Sequence, residues 1–456
     1  MLSSRTSHFV LMWKFLYNIG LLLAAPVIAG VLLAKPRCRP GFLQRMGWRM
    51  PISDGAELSR PLVWIHAVSL GEVVAASPLV KALHARHPEF RYIVTTVTET
   101  GREAVEERLK GVAEHRYAPL DFPWAVGRMI RHVQPILYVF VETELWPNLL
   151  WALHEHGVPS ILVNGRLSSR SFGRQDVPIL RSFYRTVLRT LTLCLMQSDR
   201  DRQRIVTLGA ESSRAHVTGN IKFDQPLQEV RPEEDLRRSF GLGGNEQLIL
   251  AGSTHAGEEE LLASAYAQIV KAHPATVLMV APRHIERAEK VEALFRDAGF
   301  VVQRKSLIRG KHEGPRVIIL DTRGELARAY REAIVAFVGG TLVPVGGHNL
   351  LEPAVWGTPV LFGPYTDHCA EVAALLQEAE GGRRVMGVDD LVQSLQEWLS
   401  QPHVRERVGR SARQAVWDNQ GALARSLEFI ESCLKSEPVH SNRPVAEGSG
   451  PLMARP

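Results

Sequence analysis

Cysteine is scarce in this chain: four residues in 456, Cys38, Cys194, Cys369 and Cys433, scattered without a CxxC or any metal-ligand spacing. That pattern excludes a disulfide scaffold or zinc module and suits thiols held reduced. No metal site is read from the sequence. Repeats with a period of roughly 20–50 residues are absent, which excludes solenoids and propellers. A strong excess of one charge is lacking too: a formal charge of +6 is modest for this length and does not imply nucleic acid. With 45% hydrophobic and 22% charged residues, the composition is globular and the length allows two or three cores.

Long apolar runs are missing with one exception. Phe15–Ala34 is a 20-residue run without a charge, and Asn18 is its one clear polar residue. Such a run can span about 30 Å of hydrocarbon. Lys35, Arg37, Arg39, Arg45 and Arg49 follow it, with no acid among them. This basic flank favours an uncleaved anchor whose C-terminal side stays in the cytoplasm. Lys14, Pro26 and two glycines leave a helix lying in the interface as an alternative. A cleaved signal peptide is the main rival, because Val27-Ile28-Ala29 has the small-residue look of a cleavage site.

What the chain has in abundance is alternation. Leu62–His66, Tyr92–Thr96, Ile136–Val141, Ser160–Asn164 and Leu191–Gln197 read as buried strands, and Val73–Ala85 carries helical periodicity. A second series comprises Leu248–Gly252, Thr276–Ala281, Val317–Leu320, Ile334–Val338 and Val360–Phe362. Stacked βαβ units of this kind predict α/β architecture: two Rossmann-like domains with an interdomain cleft at the strands' carboxyl ends. Residues 1–50 form the anchor and its basic flank, 51–223 the first domain, and 224–245 a linker rich in charge, proline and glycine. Residues 246–435 form the second domain with C-terminal helices, and 436–456 a disordered tail.

The densest motif is Gly339–Pro364. Glycine pairs at 339–340 and 346–347 let backbone N–H groups approach an anion, and a helix starting near Asn349 would add its dipole. Glu352 repels phosphate but suits ribose hydroxyls, so the segment reads as a nucleotide or nucleotide-sugar site. Asn349-Leu-Leu-Glu352 equally resembles a capping box, and Pro353 fits the opening turn under both readings.

Further polar residues fall just after predicted strands. Ser69-Leu-Gly-Glu72 is either a capping box or a general base aimed into the cleft, with the helix N-terminus favouring its ionised form. Glu142 and Glu144 follow Val141 as two like charges that need cations, which Arg166, Arg170 and Arg174 could supply, unless the segment is a solvated loop. Arg181, Arg185 and Arg189 recur every four residues, as a solvated face or a surface for a polyanion or anionic lipid. Lys222 lies beside the linker. Arg283, in Pro282-Arg283-His284, is placed to hold a phosphate or a base carbonyl, or is an ordinary helix-surface arginine.

Together these motifs resemble bacterial 3-deoxy-D-manno-octulosonic acid (Kdo) transferases. The resemblance rests on His66-Ala-Val-Ser-Leu-Gly-Glu72, Glu142-Thr-Glu-Leu-Trp-Pro-Asn148, Asn164-Gly-Arg-Leu-Ser and Gly219-Asn-Ile-Lys-Phe-Asp224, with Pro282-Arg283-His284 and Gly346-Gly-His-Asn-Leu-Leu-Glu352. It runs from about Phe15 to Leu434. It implies a glycosyltransferase-B fold anchored at the cytoplasmic face of the inner membrane, in contact with its lipids. It also implies Kdo transfer from CMP-Kdo to a lipid A precursor (lipid IVA), with inversion and without a metal or other cofactor. On this resemblance Glu72 is the base, and Glu142 and Lys222 stabilise the transition state. Pro282, Arg283, Gly324, Glu325, Leu326, Asn349, Leu350, Leu351 and Glu352 contact CMP. The rivals are another nucleotide-sugar transferase or a UDP-sugar epimerase of the same fold, and a non-catalytic membrane-tethered nucleotide-binding protein.

Overall fold

The computed structural model describes residues 2–34, 41–48, 60–224, 235–310 and 314–436. The tail 437–456, most of the basic flank and the first part of the expected linker lie outside these residues. Contacts divide the chain into two units: residues 1–224 with 421–456, and residues 225–420.

Unit 1 holds a seven-stranded sheet of β1 (Leu62–His66), β2 (Arg91–Thr96), β3 (Glu114–Tyr117), β4 (Leu137–Val141), β5 (Ser160–Gly165), β6 (Leu193–Met196) and β7 (Ala215–Val217). Its order is β3-β2-β1-β4-β5-β6-β7 and every pairing is parallel. Unit 2 holds β8 (Gln247–Thr254), β9 (Thr276–Pro282), β10 (Val302–Arg304), β11 (Val317–Ile319), β12 (Ala333–Val338), β13 (Val360–Phe362) and β14 (Gly382–Arg384). They run β10-β11-β9-β8-β12-β13-β14, again all parallel. The inner strands are mostly apolar because helices cover both faces, and β1 and β4 are buried at every position.

Both sheets reverse their winding beside their first strand, between β1 and β4 in unit 1 and between β8 and β12 in unit 2. In open α/β sheets the crevice at that switch point, at the strands' carboxyl ends, is where ligands bind. Of the motifs singled out above, Glu72 follows β1, Glu142 follows β4 and the glycine-rich stretch follows β12.

Two expectations about boundaries change. The last helix, Ala422–Ser436, was expected with the second domain and packs on unit 1 instead. Leu427 and Ile430 are buried in the core beside β1 and β4, each contributing roughly 1.5–3 kcal/mol. The Asp224 carboxylate accepts from the N–H groups of Gly421 and Leu423, and Arg425 Nε donates to the Thr218 carbonyl at 2.8 Å. The end of the expected linker is also no linker, because Leu236, Phe240 and Leu242 are buried in unit 2.

The N-terminal run forms one helix, Leu2–Ala34, of which Phe9–Val31 is long and apolar enough to cross a membrane. Phe15, Leu22, Leu23 and Val27 are exposed. One face near its start is docked on unit 1. Trp13 Nε1 donates to Ser182 Oγ at 3.2 Å, Tyr17 Oη to Asp121 at 2.8 Å, and Asn18 and Asn148 bond each other reciprocally. Arg45, counted above among the basic flank, is buried instead: it lies over the Tyr117 ring and donates to the Val97 carbonyl at 2.6 Å.

Candidate functional site

In unit 1 the chain leaves β1 and enters the helix Leu70–Arg86 after Ser69. Glu72 turns back on this junction. Its carboxylate accepts from the Val68 N–H at 2.7 Å and from Ser69 Oγ at 3.1 Å. Ser69 makes no side-chain cap and Glu72 takes the N–H of Val68 rather than that of Ser69, so the capping box itself does not form. The helix-dipole argument predicts an ordinary ionised Glu72. Burial decides otherwise, pushing its pKa up to about 7, and the charges of Glu142 and Glu144 add to that push.

Glu142 follows β4 with φ of 58°, left-handed backbone that a non-glycine residue rarely adopts. Strain of this kind collects at sites where surrounding contacts hold the residue. Here its N–H donates to the Val163 carbonyl at 3.0 Å and its carboxylate pairs with Lys222 Nζ at 3.0 Å. The cation that answers the acidic pair is therefore Lys222; Arg166 instead engages the Thr143 hydroxyl through its backbone. Lys222 sits in a 3₁₀ turn, Ile221–Asp224, just after β7. Asn164 Oδ1 holds the Ile221 N–H at 3.1 Å and Asn220 Oδ1 holds that of Lys222 at 3.0 Å. Asn164 is fully buried with φ of 57°. Glu144 is exposed at the surface, and partial desolvation, followed by the Glu142 charge, raises its pKa. Unit 1 thus gathers three carboxylates and one ammonium at its switch point.

In unit 2 the glycine-rich loop does not offer its first amides to a ligand. Glu258, fully buried at the start of the helix Glu258–Ala272, takes them. Its carboxylate accepts from His255 N at 2.9 Å, Gly340 N at 2.7 Å, and Thr341 and Leu342 N at 3.0 Å each. A Cβ on Gly339 would stand 2.8 Å from Glu258 Oε2 and 2.5 Å from the Ser253 carbonyl, so glycine is required for the carboxylate's approach. The anion those amides cradle belongs to the protein. Sequence reasoning missed this role; three successive glutamates after Gly257 were the available signal.

The same loop carries His348, whose Nε2 lies 2.7 Å from His255 Nε2. The rings are parallel within 4°, with centroids 5.0 Å apart, as a head-to-head N–H···N bond requires. Burial lowers both pKa values, that of His348 to about 4, with the charges of His284, Arg283 and His368 contributing. The pairing was not foreseen.

The helix expected near Asn349 begins at Leu351. Asn349 Oδ1 accepts from the Leu351 N–H at 3.1 Å and Asn349 Nδ2 donates to Glu352 at 3.2 Å. Burial raises the Glu352 pKa, while Asn349 and the charge of Arg283 oppose it. Leu350 and Leu351 have buried side chains. Pro282 ends β9 and is buried; Arg283 is exposed with its N–H on the Thr254 carbonyl at 3.0 Å. Gly324 has φ of 80°, and the neighbouring Glu325 is held by Lys305 Nζ at 3.3 Å and by Thr322. Leu326 opens the short helix Leu326–Ala329 and packs against the core. Arg283, His348, Asn349 and Glu352 are therefore electrostatic neighbours, and Glu325 has its own cation.

Residues 41–225 match the family model described as 3-deoxy-D-manno-octulosonic-acid transferase. The chain is 34% identical to the 3-deoxy-D-manno-octulosonic acid transferase of Haemophilus influenzae, covering 93% of this chain and 99% of that protein. The chain belongs to the Kdo transferase family. A second Kdo transferase, from Bordetella pertussis, is 34% identical over 87% of this chain and 91% of its own. Among solved structures, the UDP-GlcNAc 2-epimerase from Neisseria meningitidis superposes with a TM-score of 0.53 at 12% identity, covering 82% of this chain and all of that one. The Staphylococcus aureus MnaA–UDP structure gives 0.52 at 16%, covering 85% and 100%. These two likenesses carry the fold alone: two Rossmann-like domains of the glycosyltransferase-B type.

Proposed function

We propose that this Kdo transferase moves Kdo from CMP-Kdo to a hydroxyl of a lipid A precursor (lipid IVA) at the cytoplasmic face of the inner membrane. Transfer inverts the anomeric centre and uses no bound metal. The observation that carries the proposal is Glu72, a carboxylate with its pKa near neutrality beside the switch point of unit 1. The acceptor oxygen bonds to the anomeric carbon as the bond from that carbon to the CMP phosphate oxygen breaks. The acceptor's proton goes to Glu72, and a single displacement of this kind inverts the centre.

The donor brings negative charge at the sugar carboxylate and at the departing phosphate, and both need cations or N–H donors. Lys222 and Arg283 have the required chemistry. Glu352, with Asn349 beside it, suits the ribose hydroxyls of CMP. Glu142 orients Lys222 through their 3.0 Å pair. Incubation with CMP-Kdo and a tetra-acylated lipid A precursor, followed by mass spectrometry, tests the reading; a product heavier by one or more Kdo residues is expected. Inhibition by CMP and not UDP separates it from the UDP-sugar rivals, and unchanged turnover in a chelator tests the absence of a metal.

The pH profile follows from Glu72. A base works when ionised, so kcat/KM rises with pH and reaches half its maximum near the group's value of about 7. Initial rates between about pH 5.5 and 8.5 measure it. A rate that is flat or falls across that range removes Glu72 from the role of base.

A further inference from the structure

The glycine-rich loop of unit 2 has the sequence of an anion site, yet four of its amides are already engaged. Those of Gly340, Thr341 and Leu342 donate to Glu258, and that of Gly347 donates to the Gly340 carbonyl at 2.7 Å. What the glycines admit instead is imidazole. A Cβ on Gly340 would stand 3.0 Å from His348 Cδ2 and 3.1 Å from its Nε2, and one on Gly346 would stand 2.8 Å from His368 Nδ1. Both glycines have positive φ, 70° and 104°, so the backbone turns tightly where the rings sit.

The 2.7 Å Nε2···Nε2 bond of His255 and His348 holds one proton between two neutral rings, one donating and one accepting. Both rings are partly exposed, and the charges facing them are unbalanced. Arg283, His368 and His284 act on His348, and His284 and Arg287 on His255. The facing carboxylates are Glu258 and Glu259. Glu258 is occupied by backbone amides, and Glu259 is held by Arg287 at 2.8 and 3.1 Å and by the Thr254 hydroxyl at 2.9 Å. A second proton on the pair is therefore opposed, by burial first and then by like charge. An anion reverses that balance. One proton taken from solvent turns the accepting Nε2 into a donor and opens the N–H···N bond, and both Nε2–H groups can then meet anionic oxygens.

We propose that His255 and His348 form a proton-linked site for the phosphate of the nucleotide donor: the pair shares one proton until the phosphate enters, and opens with uptake of a second. The position fits this ligand. His348 directly precedes Asn349, and the charge of Arg283 acts on both His348 and Glu352. With Glu352 on the ribose, the next group along the donor is the phosphate. The inference rests on the nucleotide reading of unit 2 and adds to it two residues to which the family resemblance gives no role.

Proton uptake fixes the sign of the pH dependence. The added proton belongs to the complex, so affinity is highest below the pKa of the phosphate-bound pair and is lost as pH rises through it. Calorimetry on the full chain with CMP and with cytidine, from about pH 7 to 8.5, measures the effect. Free CMP is mostly dianionic in that range, and cytidine corrects for groups that meet the nucleoside, Glu352 included. CMP affinity relative to cytidine is expected to fall about fivefold or more, where one full proton sets a limit of about thirtyfold. His255→Gln and His348→Gln each keep an N–H donor but cannot titrate, and each is expected to flatten that ratio. A flat ratio in the parent overturns the proposal, as does a slope that survives in either variant. CMP that fails to bind the parent at any pH instead removes the nucleotide reading, and the proposal with it.

Discussion

Glu72→Gln is expected to lower Kdo transfer by roughly 10²–10⁴-fold while CMP binds as before. The amide keeps the size and the bond to Ser69 but cannot take the acceptor's proton. The residues assigned to CMP all belong to unit 2, so donor affinity, measured by calorimetry, is expected to stay unchanged. The same substitution changes stability in the opposite sense. Glu72 has a folded pKa of about 7 against an ordinary value near 4.5, so ionising it costs the fold on the order of 3 kcal/mol. The cost is absent below the unfolded value and complete above the folded one. Glu72→Gln is therefore expected to melt higher than the parent at pH 8 and alike at pH 4. A variant that is inactive and also less stable at pH 8 would mean that Glu72 is a structural cap. Such a gain in stability on losing activity is the mark of a group held strained for chemistry.

Glu258→Gln is the second large effect. The fully buried carboxylate accepts four backbone N–H groups, two on each oxygen. An amide supplies one acceptor oxygen and places N–H groups against two of those donors. Breaking such a buried arrangement costs roughly 3–5 kcal/mol. The loss is local to the loop Gly339–Leu342 and the start of the helix Glu258–Ala272. Hydrogen exchange is the direct measurement: the amides of Gly340, Thr341 and Leu342 are expected to lose protection, and CMP affinity to fall with them. Unchanged exchange at these three amides would show that the loop holds its shape without the carboxylate. Glu258→Asp is expected to fail as well, since a side chain shorter by one methylene cannot reach both sets of donors.

How much of this was legible follows from where each residue sits. The ten strands read from apolar runs are all present, because strands covered on both faces are written in continuous apolar residues. The four unread strands, Glu114–Tyr117, Ala215–Val217, Val302–Arg304 and Gly382–Arg384, are the four edges of the two sheets. An edge strand pairs on one side only and is three or four residues long here, so its side chains need not be apolar and leave no pattern. The candidate site divides in the same way. Glu72, Glu142 and Glu352 were visible because each stands just after an apolar run at a helix start or turn. His255 and His348 are 93 residues apart in the chain, and no spacing rule joins them.

The sequence by itself determined the two parallel sheets, the apolar N-terminal helix and the family to which the chain belongs. Strand periodicity is local, and motifs survive as short strings. Only the tertiary structure decided which charge meets which: Lys222 and not an arginine on Glu142, and Glu258 in the cradle that glycines seemed to prepare for a phosphate. It also decided that Glu72 titrates near neutrality, against the helix-end effect read from its position, and that the long helix is clasped to the body by Tyr17 and Asn18. Burial and partner choice arise from segments far apart in the chain, and those are the terms that set pKa values and fix a buried carboxylate.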